Sequence, residues 1–435
     1  MSNFGFIFRA LRNRNYRLFF LGQTISLIGT WMQQMAMSWL VYRLSNSAFL
    51  LGVVGFSGQI PTFLLAPLAG VIADRYNQRR ILVITQVLAS VQAVGLTALI
   101  LTHTVAIWHL IALSIFLGLV NAFDIPVRQA FTVTMIEKRE DLGNAIALNS
   151  SMVNAARLLG PSIGGILISF AGEGVCFLLN ALSYGAVIAS LLMMKITFQK
   201  TKPADTNIFH ELKEGFGYAF GFTPIKYILM LLALISFMGV PYQVLMPIFA
   251  RDIFHAGPQV LGFLMASSGL GALIGALYLA SRKSVLGLGK IIALAAGFFG
   301  FGIIAFSFSR ILWLSLFLVL VSGFAMMVEM ASSNIVLQTI CEEDKRGRIM
   351  SFYTMAFMGM APFGSLFAGS LAGTIGAPYT LVLGGSCCII GAGIFSLKLP
   401  FLRQKIHPIY AAKGIIPEVA KGIQSATTLE IFSKD

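Results

Sequence analysis

Charge is what this sequence has least of: only 11% of its 435 residues are Asp, Glu, Lys or Arg, against about 25% in an ordinary soluble domain. A water-exposed globular surface cannot be built from so few. Cysteine is scarce too. Cys176, Cys341, Cys387 and Cys388 show no ligand spacing and mostly lie in apolar runs, which excludes a disulfide framework or a zinc site. The histidines are scattered without a paired motif, so no metal or other cofactor is expected. Also missing are a glycine-rich phosphate loop, a nucleophile motif and any soluble catalytic domain. An ATP-driven pump is thereby excluded, and a membrane-embedded enzyme such as a lipid-modifying transferase is disfavoured.

What the chain has instead is apolar bulk: 57% hydrophobic residues, with 43 Gly, 36 Phe and 19 Met. Small residues let membrane helices approach closely, and large soft ones face lipid. Crossing about 30 Å of hydrocarbon at about 1.5 Å per residue takes about 20 apolar residues. Twelve such runs stand near 17–42, 49–72, 81–102, 105–127, 142–169, 174–194, 226–250, 259–280, 289–308, 311–336, 349–373 and 377–398. Basic Arg9, Arg12, Arg14 and Arg17 precede the first, as in a signal peptide. That run is too long for one and lacks a small-residue cleavage site, so an uncleaved first span is expected.

The formal net charge of +14 could be the footprint of nucleic-acid binding. Position argues otherwise. Arg43, Arg251 and Arg310 fall on one side of the expected spans, Arg157 falls inside one, and every other Lys and Arg lies on the opposite side. This is the positive-inside pattern, which marks the heavy side as cytoplasmic. An even number of spans then puts both termini in the cytoplasm of a cell whose inner membrane holds the chain. The basic balance reports topology and contact with anionic lipid, not a nucleic-acid partner.

The runs divide the chain into six spans over 1–194, a linker over 195–225, six spans over 226–398 and a mixed, mobile tail over 399–435. Within the linker Phe209, Leu212, Phe216 and Phe220 recur at helical spacing opposite His210, Glu211, Lys213 and Glu214, as in a short helix lying on the inner leaflet. The two six-span blocks read as repeats. Aligning Ile136-Glu137 with Cys341-Glu342 sets Asp124 of span 4 opposite Glu329 of span 10, and Gly160-Pro161 of span 5 matches Ala361-Pro362 of span 11. The expected fold is an all-α membrane protein with twelve transmembrane helices in two six-helix bundles related by a pseudo-two-fold axis. Such a protein, expected to be a monomer, moves a small molecule through a midplane site as the bundles rock.

Between spans 2 and 3 stand Gly70, Asp74, Arg75, Asn77, Gln78, Arg79 and Arg80. Gly70 permits close helix packing, Asp74 can cap a neighbouring helix, and the arginines can pair acids on the cytoplasmic face. The loop resembles the signature loop of the major facilitator superfamily, with Asn77 where Gly is usual and Gln78 in place of a basic residue. Asn tolerates the left-handed turn that a Gly would make there. In span 5, Ala156, Arg157, Gly160, Pro161, Gly164 and Gly165 resemble the motif that marks exporter branches of this superfamily, with Ala156 replacing a Gly. A Gly-Pro pair can kink a helix and press it on a neighbour. Longer stretches, Leu11 to Tyr16, Asn121 to Pro126, Pro241 to Pro247 and Arg346 to Arg348, resemble the branch that holds the enterobactin exporters and macrolide efflux pumps. The resemblance runs to about residue 398. It implies a major facilitator fold and export of an amphipathic molecule such as a siderophore, a macrolide or another drug.

A charged side chain inside a span costs about 2.5 to 3.5 kcal/mol on insertion scales, so each calls for a partner or a wet cavity. Asp124, Arg157 and Glu329 qualify. Asp124 lies near the cytoplasmic end of span 4, where Arg75 or Arg79 could latch it, or it could carry a proton or simply face the interface. Glu329 has no such arginines nearby and is a candidate proton carrier. Arg157 falls mid-span and could pair an acid or hold an anionic substrate. Proton-coupled exporters of the superfamily usually carry an arginine where Ser114 stands before Gly118, so antiport with protons is implied by the fold rather than by that motif. Polar stripes mark the expected cavity wall: Gln23, Ser26, Thr30 and Gln34 of span 1, beside Trp31, and Ser236, Gly239, Tyr242 and Gln243 of span 7. The alternative function is import of a nutrient on the same fold.

Overall fold

The computed structural model of the chain describes residues 8–136, 139–195, 217–282, 284–413 and 415, apart from a few side chains, that of Asp74 among them. Helices α1 (Arg14–Ser45), α2 (Ala48–Arg75), α3 (Gln78–Leu101), α4 (Ile107–Thr134), α5 (Arg139–Ala171) and α6 (Glu173–Met193) come first. After the linker follow α7 (Thr223–Ile253), α8 (Pro258–Ala280), α9 (Leu288–Phe308), α10 (Leu312–Ile340), α11 (Arg346–Ile375) and α12 (Ala377–Ala412). Among the described residues, eleven helices are long and apolar enough to cross a membrane. The twelfth, α1, has the length at 32 residues. It is less apolar because Gln23, Thr24, Ser26, Thr30, Gln33 and Gln34 interrupt it, as expected of a helix facing polar interior rather than lipid.

Side chains fix several helix starts. Asn13, Ser47 and Asn77 accept hydrogen bonds from the backbone N–H groups of Asn15, Leu50 and Arg80 at 3.2, 3.3 and 3.2 Å, relieving donors that a helix N-terminus leaves unpaired. This corrects the reading of the loop after α2. Asn77 is extended, with φ −65° and ψ 105°, and is itself the cap of α3, so the turn needs no left-handed residue.

Packing repeats with a period of six helices. In the first group α1 lies on α5 and α6, α2 on α4, and α3 on α4 and α6. In the second α7 lies on α11 and α12, α8 on α10, and α9 on α10 and α12. The groups meet chiefly through α2 on α11 and α5 on α8. One continuous core takes in both groups, with Met35 and Leu40 of α1 beside Leu245 and Phe249 of α7. A separate core of Tyr16, Phe19, Leu82, Phe131 and Leu191 stays within the first group, at the end where the basic loops emerge.

Two helices are not regular. Helix α7 widens into π turns at Ile235–Gly239 and Phe249–Ile253, and α11 does so at Met355–Gly359. The first and third have a physical cause in Pro241 and Pro362. A proline lacks the N–H of the ladder and its ring crowds the carbonyl four residues back, here Phe237 and Met358, and a wider turn relieves both. The hydroxyl of Ser236 donates to the carbonyl of Phe357, so the two widened turns are joined to each other.

The last helix differs from expectation. It does not stop near 398 but continues to Ala412, through Pro400 and Pro408. Its extension is apolar on one face, with Leu402 and Tyr410 buried and Leu399, Ile406 and Ile409 packed on the core. Lys405 donates to the Thr223 hydroxyl at 3.2 Å and Lys413 to the carbonyls of Thr339 and Cys341 at 2.8 and 3.3 Å. Of the expected linker helix, residues 209–216 lie outside the described part of the chain.

Candidate functional site

The seam between the two groups is built from glycines where backbones touch. A Cβ on Gly165 would stand 2.8 Å from the Pro258 carbonyl oxygen, and one on Gly262 would collide with the carbonyl of Pro161. Gly160 and Gly164 face the other way, onto Trp31 and Met32 of α1. The span 5 motif is therefore a two-sided contact strip, and α5 runs through Pro161 as one helix. Across the molecule Phe363 of α11 meets Phe56 and Phe63 of α2 edge-on, with ring centroids 5.8 and 6.2 Å apart.

Polar contacts close the seam at the end away from the basic loops. The Tyr42 hydroxyl of α1 donates to Asp252 of α7. Arg251 donates to the Asn46 side chain at 2.6 Å and the Tyr42 carbonyl at 3.4 Å, and its guanidinium lies 5.7 Å from the Tyr42 ring centroid. Asn46 presents its amide from a left-handed conformation, φ 47°, just past the end of α1. Ser169 of α5 donates to Gln259 of α8 at 2.8 Å. Within the first group Arg43 and Glu173 pair at 2.7 Å at the same end.

Midway along the seam lies a narrow cleft lined by Trp31 of α1, Arg157 and Pro161 of α5, Gln243 and Met246 of α7, and Met265 and Ser268 of α8. The Arg157 guanidinium sits 4.9 Å from the Trp31 ring centroid. Behind this wall the buried Tyr242 hydroxyl shares a hydrogen bond of 2.7 Å with Ser268. Of the nine residues expected along the cavity wall, Trp31 and Gln243 line this cleft. Tyr242 lies one layer deeper, Gln34 is exposed, and Gln23 is buried. Thr30 donates to the Ser26 carbonyl at 2.9 Å and is bonded to Tyr184 of α6. The polar stripe of α1 thus splits, and its buried part knits the first group together through Gln33, Gln92 and Asn180.

The two mirrored acids have different surroundings. Asp124 accepts from Thr85 and Gln86 of α3, both at 2.8 Å, and pairs with Arg128 one turn on at 3.3 Å. The expected partners Arg75 and Arg79 do not hold it: Arg75 is exposed, and Arg79 donates to the Leu192 carbonyl at 2.8 Å. Arg128, read as lying beyond the span, is inside α4, and a partner within the same helix forestalls a loop latch. Gly70 and Asp74 lie in the last turns of α2, where the side chain of Asp74 is outside the described part. Glu329 is 1% exposed; its Oε1 accepts from Ser333 at 3.0 Å, and its Oε2 has no partner among the described residues. Ser333 stands one turn after Glu329 as Arg128 stands after Asp124, so the second group has a hydroxyl where the first has a cation.

Removing the acid of the first site strands its neighbours. Asp124→Leu leaves Arg128 unpaired and the buried Gln86 amide without its acceptor, while Thr85 keeps the Leu82 carbonyl at 3.0 Å, a loss of about 3–5 kcal/mol for a broken buried pair. We expect a lower unfolding temperature in detergent and less folded protein, with Asp124→Asn closer to wild type because it keeps an acceptor. An unchanged melting curve for Asp124→Leu would show that the cluster contributes nothing to stability.

Tyr42, Asn46, Arg251, Asp252 and Glu173 were not read from sequence as site residues. The available signal was that Arg43 and Arg251 are rare basic residues on the arginine-poor side, each with an acid or amide within reach.

Comparison with known proteins agrees with this architecture. The staphyloferrin A transporter of Staphylococcus aureus (strain NCTC 8325 / PS 47) is 26% identical over 395 residues, 90% of this chain and 98% of its own. Macrolide efflux protein A of Streptococcus pyogenes is 24% identical over 85% of this chain and 92% of its own, and the multidrug efflux pump Tap of Mycolicibacterium fortuitum is 25% identical over 85% and 91%. Among solved structures, a bacterial homologue of the lysosomal transporter Spinster, inward-facing and unoccupied, superposes with a TM-score of 0.72 at 14% identity, over 91% of this chain and 98% of its own. A bacterial homologue of the iron transporter ferroportin, also inward-facing, gives 0.64 at 16% identity over 88% and 98%. The profile of the family described as transmembrane secretion effector matches residues 7–415. This chain is therefore a multi-pass membrane transporter of the major facilitator superfamily and belongs to its transmembrane secretion effector family.

Proposed function

We propose that the chain is a secondary exporter that carries a small amphipathic molecule, of the siderophore, macrolide or drug kind, outward by alternating access in exchange for protons. The observation that carries the reading is the position of the cross-group contacts. Tyr42 with Asp252, Arg251 with Asn46, Ser169 with Gln259 and the glycine contact of α5 with α8 all fall toward one end. Under the positive-inside rule that end is the outer one, both termini are cytoplasmic, and the cleft loads from the cytoplasm. The named functions of the relatives support efflux. The division at 194 and 226 into two six-helix bodies joined by a linker is part of the same proposal.

The test is uptake into inverted vesicles under an imposed pH gradient, with a panel of siderophores and drugs. Gradient-dependent accumulation of one of them is expected. Accumulation that ignores the gradient would remove antiport, and accumulation only in right-side-out vesicles would make the protein an importer.

In this reading the Tyr42–Asp252 contact is the outer latch. A hydrogen bond to a charged group is worth about 1.5–3 kcal/mol, so Tyr42→Phe or Asp252→Ala is expected to raise the outward-open population about tenfold or more. Spin labels at Ser47→Cys and Phe254→Cys, in a chain with its native cysteines replaced, would report this as a longer distance. An unchanged distance distribution in both variants would reduce the contact to a surface bond.

A further inference from the structure

We propose that Arg157 is the recognition point for a carboxylate on the transported molecule, so that the substrate class is an amphipathic carboxylate anion. The inference rests on the exporter reading and narrows its cargo. Arg157 stands midway along α5 at the seam, where its backbone carbonyl abuts Gly269 of α8. Among the described residues no carboxylate lies within ion-pair distance of it and no hydrogen bond engages its N–H groups. The acids of the neighbouring spans are committed elsewhere: Asp124 to Thr85, Gln86 and Arg128, and Glu329 to Ser333 inside the second group. The Tyr242 hydroxyl, another candidate acceptor, is shared with Ser268.

What Arg157 does have is the face of Trp31. A cation over an indole is held through its π face, which leaves the in-plane fork of N–H donors free. That fork matches a carboxylate bidentately and would be mismatched by a cation. The rest of the cleft suits the other end of an amphiphile. Met246 and Met265 are unbranched and adaptable, and Gln243 and Ser268 add polar groups to the lining. A lone guanidinium at mid-membrane is costly, and a bound anion neutralises it at the surface where the two groups of helices separate. Arrival of the cargo thereby removes the charge that opposes closing a dry seam over the cleft.

The test measures binding, not transport, with the full chain in phosphatidylcholine nanodiscs and energy transfer from tryptophan to pyrene as readout. Three probes differ only in their head group: 1-pyrenebutyrate, its neutral amide, and 1-pyrenebutylamine. Partition into lipid is taken from empty discs. We expect the carboxylate to bind about tenfold more tightly than the amide, as one charge-assisted pair provides, and the amine to bind no better than the amide. Arg157→Gln should erase the preference for the carboxylate while leaving amide affinity in place, and Arg157→Lys should keep part of it. Equal affinities for all three probes in the wild type, or a carboxylate preference that survives Arg157→Gln, would overturn the assignment. Vesicle orientation separates this from the export reading: inward flux of a carboxylate that still needs Arg157 would defeat export and keep the anion site, whereas outward flux without any head-group preference would do the reverse.

Discussion

Replacing Glu329 by Gln is expected to abolish flux driven by a pH gradient while the protein still inserts and folds. The carboxyl is 1% exposed, has one hydroxyl partner and one oxygen without any, and faces no cation within ion-pair distance among the described residues. Held as an anion it would carry the full cost of an intramembrane charge, about 2.5–3.5 kcal/mol or more, and binding a proton removes that cost. Gln keeps the shape and removes the exchange. The neighbours of Glu329 are Tyr353 of α11 and Cys388 of α12, so a proton held there acts on the packing inside the second group, away from the Arg157 cleft. Exchange of labelled for unlabelled substrate without a gradient should therefore survive in Glu329→Gln. Gradient-driven accumulation with wild-type pH dependence would assign proton carriage to another group.

The second large effect is expected at the glycine contact of α5 with α8. Gly262 has the Pro161 carbonyl against its α-carbon and Gly165 beside it, so even Ala must push the helices apart. Backbone cannot give way as a flexible side chain does, and overpacking costs about 1–3 kcal/mol. Because the clash lies between the two groups and not within either, each group folds and only their closure suffers. Gly262→Ala should slow transport, and Gly262→Leu should reduce it to the level of empty vesicles while widening the distance between labels across the outer end. Gly165→Leu should behave alike, since on the facing helix a side chain there meets the Pro258 carbonyl and the backbone of Gln259 and Gly262. Wild-type flux in Gly262→Leu would mean that this seam need not close.

Much of this architecture was legible in the chain. Apolar runs of span length, the loop from Gly70 to Arg80 and the Gly160-Pro161 pair led to the major facilitator fold, because hydrocarbon thickness and close helix contact impose patterns readable one residue at a time. The intramembrane charges were legible for the same reason. Their partners were not. Asp124 found Arg128 in its own helix rather than Arg79 at the start of α3, since a pair one turn apart forms without any tertiary arrangement. The Tyr42–Asp252 contact joins residues 210 positions apart, and no local pattern announces it. Helix α12 was cut short at 398 because Lys398, Arg403 and Lys405 dilute its hydropathy, although Leu402, Ile406 and Tyr410 keep one face buried.

The widened turns of α7 and α11 have a mechanical consequence. A helix flexes most cheaply where its ladder is already interrupted, and Pro241 and Pro362 interrupt two adjacent helices at the same depth. Ser236 reaches across that level to the Phe357 carbonyl, so neither rod can crease without drawing on the other. The second bundle thus has a waist, a single height at which its paired rods fold in unison. In the first group, by contrast, α5 continues as one regular helix through Pro161.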